Sequence, residues 1–174
     1  MCKVRDIVGT IHKREDELWE SPDYESPIIG FLQKCGVHVQ RLRQIRYDEI
    51  KTSFREAFLP SATDEEWKHY LLDAELWHAF SCGLVSHAER TLANREFDRC
   101  EHETAYGLQL QRVSLAFDHV VDVFRWYEMK DFGKIKSEQI QGFGNFYFFS
   151  SDFSWVYVVT HEDEFGPYFA SRVK

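Results

Sequence analysis

The feature that most constrains the fold is residues 145–160, NFYFFSSDFSWVYVVT. Two runs of aromatic and β-branched residues flank the tripeptide Ser-Ser-Asp, a pattern typical of two antiparallel strands joined by a short turn. A further strand-forming segment, PYFAS (167–171), follows and predicts a last edge strand. The sequence therefore predicts a C-terminal aromatic hairpin at the end of an antiparallel sheet.

Three more strands are predicted upstream from β-rich or alternating segments. They are VHVQRL (37–42), LWHAFSCG (76–83, ended by Gly83) and AYGLQLQ (105–111).

Apolar residues at helical spacing predict helices between these strands. Gly36 ends a short helix that begins at Ile28, and Pro60 stops a second helix over 47–59. Thr63 and Glu66 form a capping box for a third helix over 61–75, and Ser86 and Glu89 form one for a fourth through ERTLANREFD.

The fourth helix is expected to turn Ala88, Leu92 and Ala93 toward the core. Residues 112–130 carry valines, alanine and phenylalanines at helical spacing and predict a long amphipathic helix, with a Val-rich strand as the alternative.

The fold class that follows is α+β, a largely antiparallel sheet with helices packed on it. Residues 28–174 are predicted to form a single domain. Residues 1–27 are highly charged and end in SPDYESP, so they are predicted to be an N-terminal arm or irregular extension.

Composition narrows the class of ligand. The chain is 44% hydrophobic and 29% charged, which is typical of a globular protein. Aromatic residues make up 16%, and we expect some of them at a groove or partner surface. The net charge of −8 disfavours nucleic acid as a ligand and favours a basic protein partner.

The four cysteines form no CxxC pair, so neither a zinc ribbon nor a disulfide framework is predicted. The N-terminus has no apolar run of signal-peptide length, and no segment approaches the length of a membrane span. We therefore expect a cytoplasmic protein with reduced thiols and without cofactor, metal or membrane association.

Two separated motifs, LWHAFS and FSWVYVVTHEDEFGPYF, resemble those of a bacterial domain family of unknown function. The resemblance covers roughly residues 28–169, and it departs from the family over the first 27 or so residues and in the longer 112–130 region. It implies fold kinship and a bacterial, cytosolic setting, but no activity. The matching residues are Leu76, Trp77, His78, Phe80 and Ser81, and then Phe153, Trp155, Tyr157, Val158, Thr160, His161, Glu162, Gly166, Pro167, Tyr168 and Phe169.

The first candidate site combines His78, His161 and Glu162, with Asp163 as a further carboxylate. Two histidines and a carboxylate can bind a metal ion or act in acid–base catalysis. The spacing matches no known metal motif, so the competing interpretation is structural: His78 packs between aromatic rings, while His161 and Glu162 cap the end of a strand.

Two weaker candidates are a thiol and a basic strip. Cys82 beside Ser81 is a candidate nucleophile, although its neighbours in sequence are not basic and a buried structural thiol is favoured. Arg41, Arg43 and Arg46 are a candidate phosphate-binding strip, for which ion pairing with the acidic segment 64–75 is the favoured alternative.

The last candidate is an acidic docking surface, because carboxylates beside aromatic anchors are suited to a basic protein partner. Solvated helix faces with capping acids are the alternative. Its predicted members are Asp64, Glu65, Glu66, Trp67, Asp73, Glu75, Asp163 and Glu164.

We therefore expect a non-catalytic cytosolic binding domain, an immunity-like or antitoxin-like inhibitor of a basic partner. The alternative is a small metal-dependent or acid–base hydrolase that uses His78, His161 and Glu162.

Overall fold

A computed structural model describes most of the chain beyond the predicted N-terminal arm. The described residues are 26–42, 47–66, 77–101, 103–115, 119–161, 164 and 166–172. The predicted arm therefore lies outside the described residues, except for its last two positions. Within the described part, no helix is long and apolar enough to cross a membrane.

One sheet of seven strands organises the described residues, in the order β1-β4-β3-β5-β6-β7-β2, and every pairing is antiparallel. The strands are β1 (His38–Arg41), β2 (Ala88–Glu89), β3 (Thr104–Leu115), β4 (His119–Lys130), β5 (Phe146–Ser150), β6 (Trp155–Val159) and β7 (Tyr168–Ser171). The predicted α+β class and aromatic hairpin are confirmed, and β5 and β6 are that hairpin.

The helices lie between the strands and cover both faces of the sheet. They are α1 (Pro27–Lys34), α2 (Tyr47–Phe58), α3 (His78–Ser81), α4 (Arg90–Arg99) and α5 (Ser137–Ile140), with a 3₁₀ turn at Phe132–Lys134. Residues 64–66 are also helical. Residues 67–75 of the predicted 61–75 helix lie outside the described residues.

Both strands of the aromatic hairpin are buried on both faces, because helices pack on each side of the sheet. Phe146 and Phe148 lie in one core with Ile28 of α1 and Phe97 of α4. The residues between and beside them lie in a second core with residues of α2 and α3: Tyr147, Phe149, Ile50, Phe54, Ala79 and Phe80.

The aromatic surplus is used mainly in these two cores. No described aromatic side chain is fully exposed, and four are half-buried: Phe31, Tyr106, Phe143 and Phe153. Among the described residues, only these half-buried rings can therefore serve as aromatic anchors on a partner surface.

The predicted helix over 112–130 is wrong in its described part, where residues 112–115 end β3 and residues 119–130 form β4, as in the Val-rich strand alternative. Residues 104–115 and 119–130 pair with each other along their whole length. Trp126 lies in one core and Tyr127 in the other, so apolar residues are needed at consecutive positions. Where consecutive residues are buried on opposite faces, as Trp126 and Tyr127 are, a strand loses its polar alternation, and the apolar residues of 112–130 matched the helical period by coincidence.

The predicted strand over 76–83 is also wrong, because α3 occupies its centre. Trp77 and Phe80 are three positions apart, and both are buried in the core that α3 shares with α2. Gly83 has a φ of +75°, and its N–H donates to the Phe80 carbonyl oxygen. A glycine in this conformation ends a helix, so Gly83 ends the element as predicted, but that element is a helix rather than a strand.

The Ser86–Glu89 capping box is not formed. Ala88 and Glu89 pair with β7, and the helix begins one residue later, at Arg90, without a side-chain cap. Ala93 is buried as predicted, whereas Leu92 is 51% exposed. Pairing with β7 displaces the start of the helix and turns Leu92 to the surface.

The other local signals are confirmed. Gly36, with a φ of +83°, follows α1, and α2 ends before Pro60. In the Thr63–Glu66 capping box, the Thr63 N–H donates to Glu66 Oε2 at 2.8 Å and the Glu66 N–H donates to Thr63 Oγ1 at 3.2 Å.

Candidate functional site

The centre of the candidate site is the buried indole of Trp77, which α3 presents to the second core. The Trp77 backbone N–H donates to the Tyr147 hydroxyl oxygen at 3.2 Å, which fixes the start of α3 to the aromatic hairpin. Tyr147 is itself fully buried on β5. Trp77 is therefore held between α3 and β5, and these two elements fix the position of any side chain that packs against its indole.

Both predicted histidines contact the Trp77 ring edge-on. The centroid of His78 lies 4.2 Å from that of Trp77, with a 70° interplanar angle. The centroid of His161 lies 6.4 Å away, with an angle of 79°. The two histidines therefore approach one indole, and His78 does so from α3, which lies where a strand was predicted over 76–83.

His161 is oriented by Asn145, which the sequence reasoning missed. The Asn145 side-chain Oδ1 accepts the His161 backbone N–H at 3.0 Å and lies 2.9 Å from His161 Nδ1. A carboxamide oxygen only accepts, so Nδ1 carries the proton, and in the neutral ring Nε2 carries the lone pair. The hairpin register relates the two residues: Phe146 pairs with Val159, so Asn145, directly before β5, and His161, two residues after β6, lie at the same open end.

The carboxylates of this candidate, Glu162 and Asp163, lie outside the described residues. Among the residues that are described, no group of three histidine, cysteine, aspartate or glutamate side chains is arranged to hold a metal ion. The placed part of the site is thus two histidines and an asparagine around an indole.

Cys82 is exposed at the C-terminal end of α3. Its backbone N–H donates to the carbonyl oxygens of His78 and Phe80. The favoured alternative of a buried thiol is therefore wrong for Cys82. Of the basic strip, Arg41 is half-buried on β1, while Arg43 and Arg46 fall outside the described residues.

The acidic surface is placed in part. Asp64, Glu65 and Glu66 are all exposed where the next helix begins after α2. Arg55 Nη2 lies 2.7 Å from Asp64 Oδ1 in an ion pair. The capping bonds with Thr63 lower the pKa of Glu66, so this carboxylate stays ionised to lower pH than a free one.

Glu164 is exposed, and its carbonyl oxygen accepts a hydrogen bond from Arg90 Nη2 at 3.0 Å. The remaining predicted members of this surface, Trp67, Asp73, Glu75 and Asp163, lie outside the described residues.

A third histidine, His87, occupies a built environment that the sequence reasoning did not single out. Its Nδ1 lies 2.6 Å from the Val85 carbonyl oxygen, and its Nε2 lies 2.9 Å from Glu89 Oε1. The ring meets Tyr168 edge-on at 5.0 Å. Its partners are a neighbouring carbonyl, a neighbouring carboxylate and core rings, so its role is to join β2 to the α3 turn.

Comparison with known proteins adds family membership to this geometry. A model of the family described as Domain of unknown function (DUF4275) matches residues 28–169. Searches of curated proteins and of solved structures found no match. The matched range covers the sheet up to the second residue of β7, most of both cores and the Trp77 site, and the chain belongs to the family Domain of unknown function (DUF4275).

Proposed function

We propose that this protein is a non-catalytic binding domain of the bacterial cytoplasm that inhibits a basic protein partner, as immunity proteins and antitoxins do. One observation carries the proposal. Asp64, Glu65 and Glu66 are three consecutive exposed carboxylates, and a single guanidinium, that of Arg55, is ion-paired with them among the described residues.

The three carboxylates have different local duties. Asp64 is paired with Arg55 through a side chain that is 82% exposed, and Glu66 caps the helix while remaining at the surface. Glu65 lies in the first turn of the helix and takes part neither in the ion pair with Arg55 nor in the capping bonds with Thr63. A partner's lysine or arginine therefore meets Glu65, which is paired with no other described residue, flanked by two carboxylates whose charge is held in place.

The net charge of −8 extends this local pattern to the whole chain. A protein of this charge attracts a basic partner over about 8 Å at physiological salt and repels nucleic acid. Electrostatic attraction of this kind raises the association rate and rejects acidic competitors. Rapid capture of a basic toxin requires both properties.

Affinity purification of the full chain from its native host tests the proposal. We expect one basic protein to co-purify in a defined stoichiometry, and we expect the complex to form equally well with His161→Ala, because the Trp77 site is not the contact surface. Recovery of monomer alone under all growth conditions, or capture of acidic proteins, would contradict it.

A second candidate function, acid–base or metal-dependent hydrolysis, is favoured by the orientation of His161. A histidine whose Nδ1–H is held by an oxygen acceptor presents Nε2 as a base or ligand, as in many catalytic sites. Metal analysis of the purified protein, compared with that of the His78→Ala and His161→Ala variants, tests it. A bound metal that is lost in both variants would move the assignment to this function.

A further inference from the structure

The turn of the aromatic hairpin contains a residue whose backbone conformation does not suit its side chain. Phe153 has a φ of +55°, in the left-handed region that glycine and asparagine adopt easily and that bulky residues avoid. The surrounding turn holds it there, since the Phe153 N–H donates to the Ser150 carbonyl oxygen and the Ser154 N–H donates to Asp152 Oδ1. A strained position occupied by a bulky residue points to a use for the side chain.

The Phe153 ring is half-buried and paired with a second half-buried ring. Its centroid lies 6.3 Å from that of Tyr106 on β3 and 6.2 Å from that of Phe149 on β5. No hydrogen bond of the Tyr106 side chain is found within the described residues. The two rings therefore form an accessible aromatic ledge at the margin of the second core.

A carboxylate stands beside this ledge. Glu128 pairs with Tyr106 across the β3–β4 ladder and is half-buried, yet within the described part of the chain it forms no ion pair or hydrogen bond. A half-buried carboxylate with no ion-pair partner among the described residues is available to accept a cationic side chain of a partner protein. Asp152, exposed in the same turn, adds negative charge.

The geometry points to a cation-binding patch, formed by Tyr106, Phe153 and Glu128, that receives an arginine or lysine side chain of a basic protein partner. The ring faces attract the cation through their quadrupoles, and the carboxylate neutralises its charge. Charge complementarity selects the occupant, because an apolar partner would leave Glu128 desolvated and unpaired.

The patch rests on the proposed function and adds to it a second contact with the same partner. Phe149, which packs against Phe153, also packs against Phe54 of α2 with centroids 5.6 Å apart. The C-terminal end of α2 leads by way of Pro60 to Asp64–Glu66. α2 therefore connects the aromatic ledge to the acidic segment Asp64–Glu66.

A peptide probe tests the patch without requiring the natural partner. Fluorescently labelled nona-arginine is titrated into the full chain and into Glu128→Gln and Phe153→Gly, with nona-citrulline as the neutral peptide of matched shape. We expect each variant to bind nona-arginine about fivefold more weakly than wild type, the loss of one partly desolvated cation contact. Glu138→Gln, which removes an exposed charge on α5, is expected to change the affinity by less than about twofold.

Phe153→Gly separates contact from folding, because glycine accepts the positive φ without strain. Glu128→Gln keeps the shape of the side chain and provides the test if the glycine variant does not fold. Wild-type affinity in Glu128→Gln, an equal loss in Glu138→Gln, or equal binding of nona-citrulline would overturn the patch. None of these results bears on whether a partner is captured through Glu65, so the two proposals fail separately.

Discussion

Two residues with positive φ hold the loop that joins β6 to β7. Gly166 has a φ of +86°, and a Cβ at this position would lie 3.1 Å from Thr160 Cγ2. Arg90, with a φ of +53°, donates its backbone N–H to the Pro167 carbonyl oxygen at 2.8 Å. The loop thus depends on Gly166, which must lack a side chain, and on Arg90, whose strained backbone conformation allows its N–H to bind the Pro167 carbonyl oxygen.

Gly166→Ala is expected to destabilise the protein by about 1–3 kcal/mol, because alanine combines the disfavoured φ with a close contact to Thr160. Gly30→Ala is the matched control. Gly30 lies in α1 with no atom within 4 Å of a built Cβ, so alanine there is expected to be neutral or to stabilise by up to about 1 kcal/mol. Urea unfolding measures both; equal effects would contradict the account of the loop.

The hydrogen bond from His161 to Asn145 predicts an unusual ring tautomer. Neutral histidine in water prefers the proton on Nε2, whereas the Asn145 oxygen requires it on Nδ1. Long-range ¹H–¹⁵N spectra above the titration range of histidine should show the Nδ1–H form in wild type and a shift toward Nε2–H in Asn145→Ala. The Nε2–H form in wild type would mean that the two side chains are not bonded.

At the scale of elements, the helices and strands that the sequence predicts correctly are marked by local sequence signals. Gly36 ends α1 and the Thr63–Glu66 capping box begins a helix, and both work through local bonds that the sequence shows directly. The β5–β6 hairpin is equally visible, because two apolar runs flank a polar turn. These features were correctly predicted for the same reason: the interactions that stabilise them span a few residues.

The two wrong elements depend on distant partners. Residues 119–130 form β4 because β3 and, in part, β1 pair with them. Residues 78–81 are helical beside Trp77, whose backbone N–H donates to Tyr147, 70 positions away. Burial of consecutive residues such as Trp126 and Tyr127 removes the alternation by which a strand is recognised. Asn145 was missed for a related reason, since its role appears only once the hairpin register is known.

The contact between α4 and β6 predicts a loss of stability at high pH. The Tyr157 hydroxyl donates to Asn94 Oδ1 at 2.8 Å, and burial raises its pKa well above the ordinary value of 10.0. Above pH 10 the unfolded chain releases this proton while the folded chain keeps it, so the free energy of unfolding falls by about 1.4 kcal/mol per pH unit for this group.

Tyr157→Phe should remove that part of the slope while costing about 1 kcal/mol at neutral pH, because Asn94 loses its donor. Unfolding measured from pH 7 to 11 tests it. The difference between wild type and variant should be constant below about pH 9 and should shrink above pH 10. A constant difference throughout would show that the phenol ionises alike in both states.

At the scale of the whole molecule, the sheet separates two cores, and adjacent residues of β5 serve different ones. Phe148→Ala and Phe149→Ala should each cost about 3–5 kcal/mol, because each leaves a cavity in its own core. Leu92→Ala, at an exposed position, should cost less than about 0.5 kcal/mol. If only one of the two phenylalanines mattered, the sheet would be covered on one face alone.

The central functional claim is that exposed carboxylates after α2 bind a basic partner, and the dissociation constant of the purified complex tests it most directly. Glu65→Lys reverses the charge at position 65 and should weaken binding at least about tenfold at low salt. The difference between the dissociation constants of variant and wild type should shrink as salt rises. Glu138→Lys makes the same change in net charge on α5 and should weaken it by less than about twofold. Equal dissociation constants for Glu65→Lys and wild type would contradict the claim.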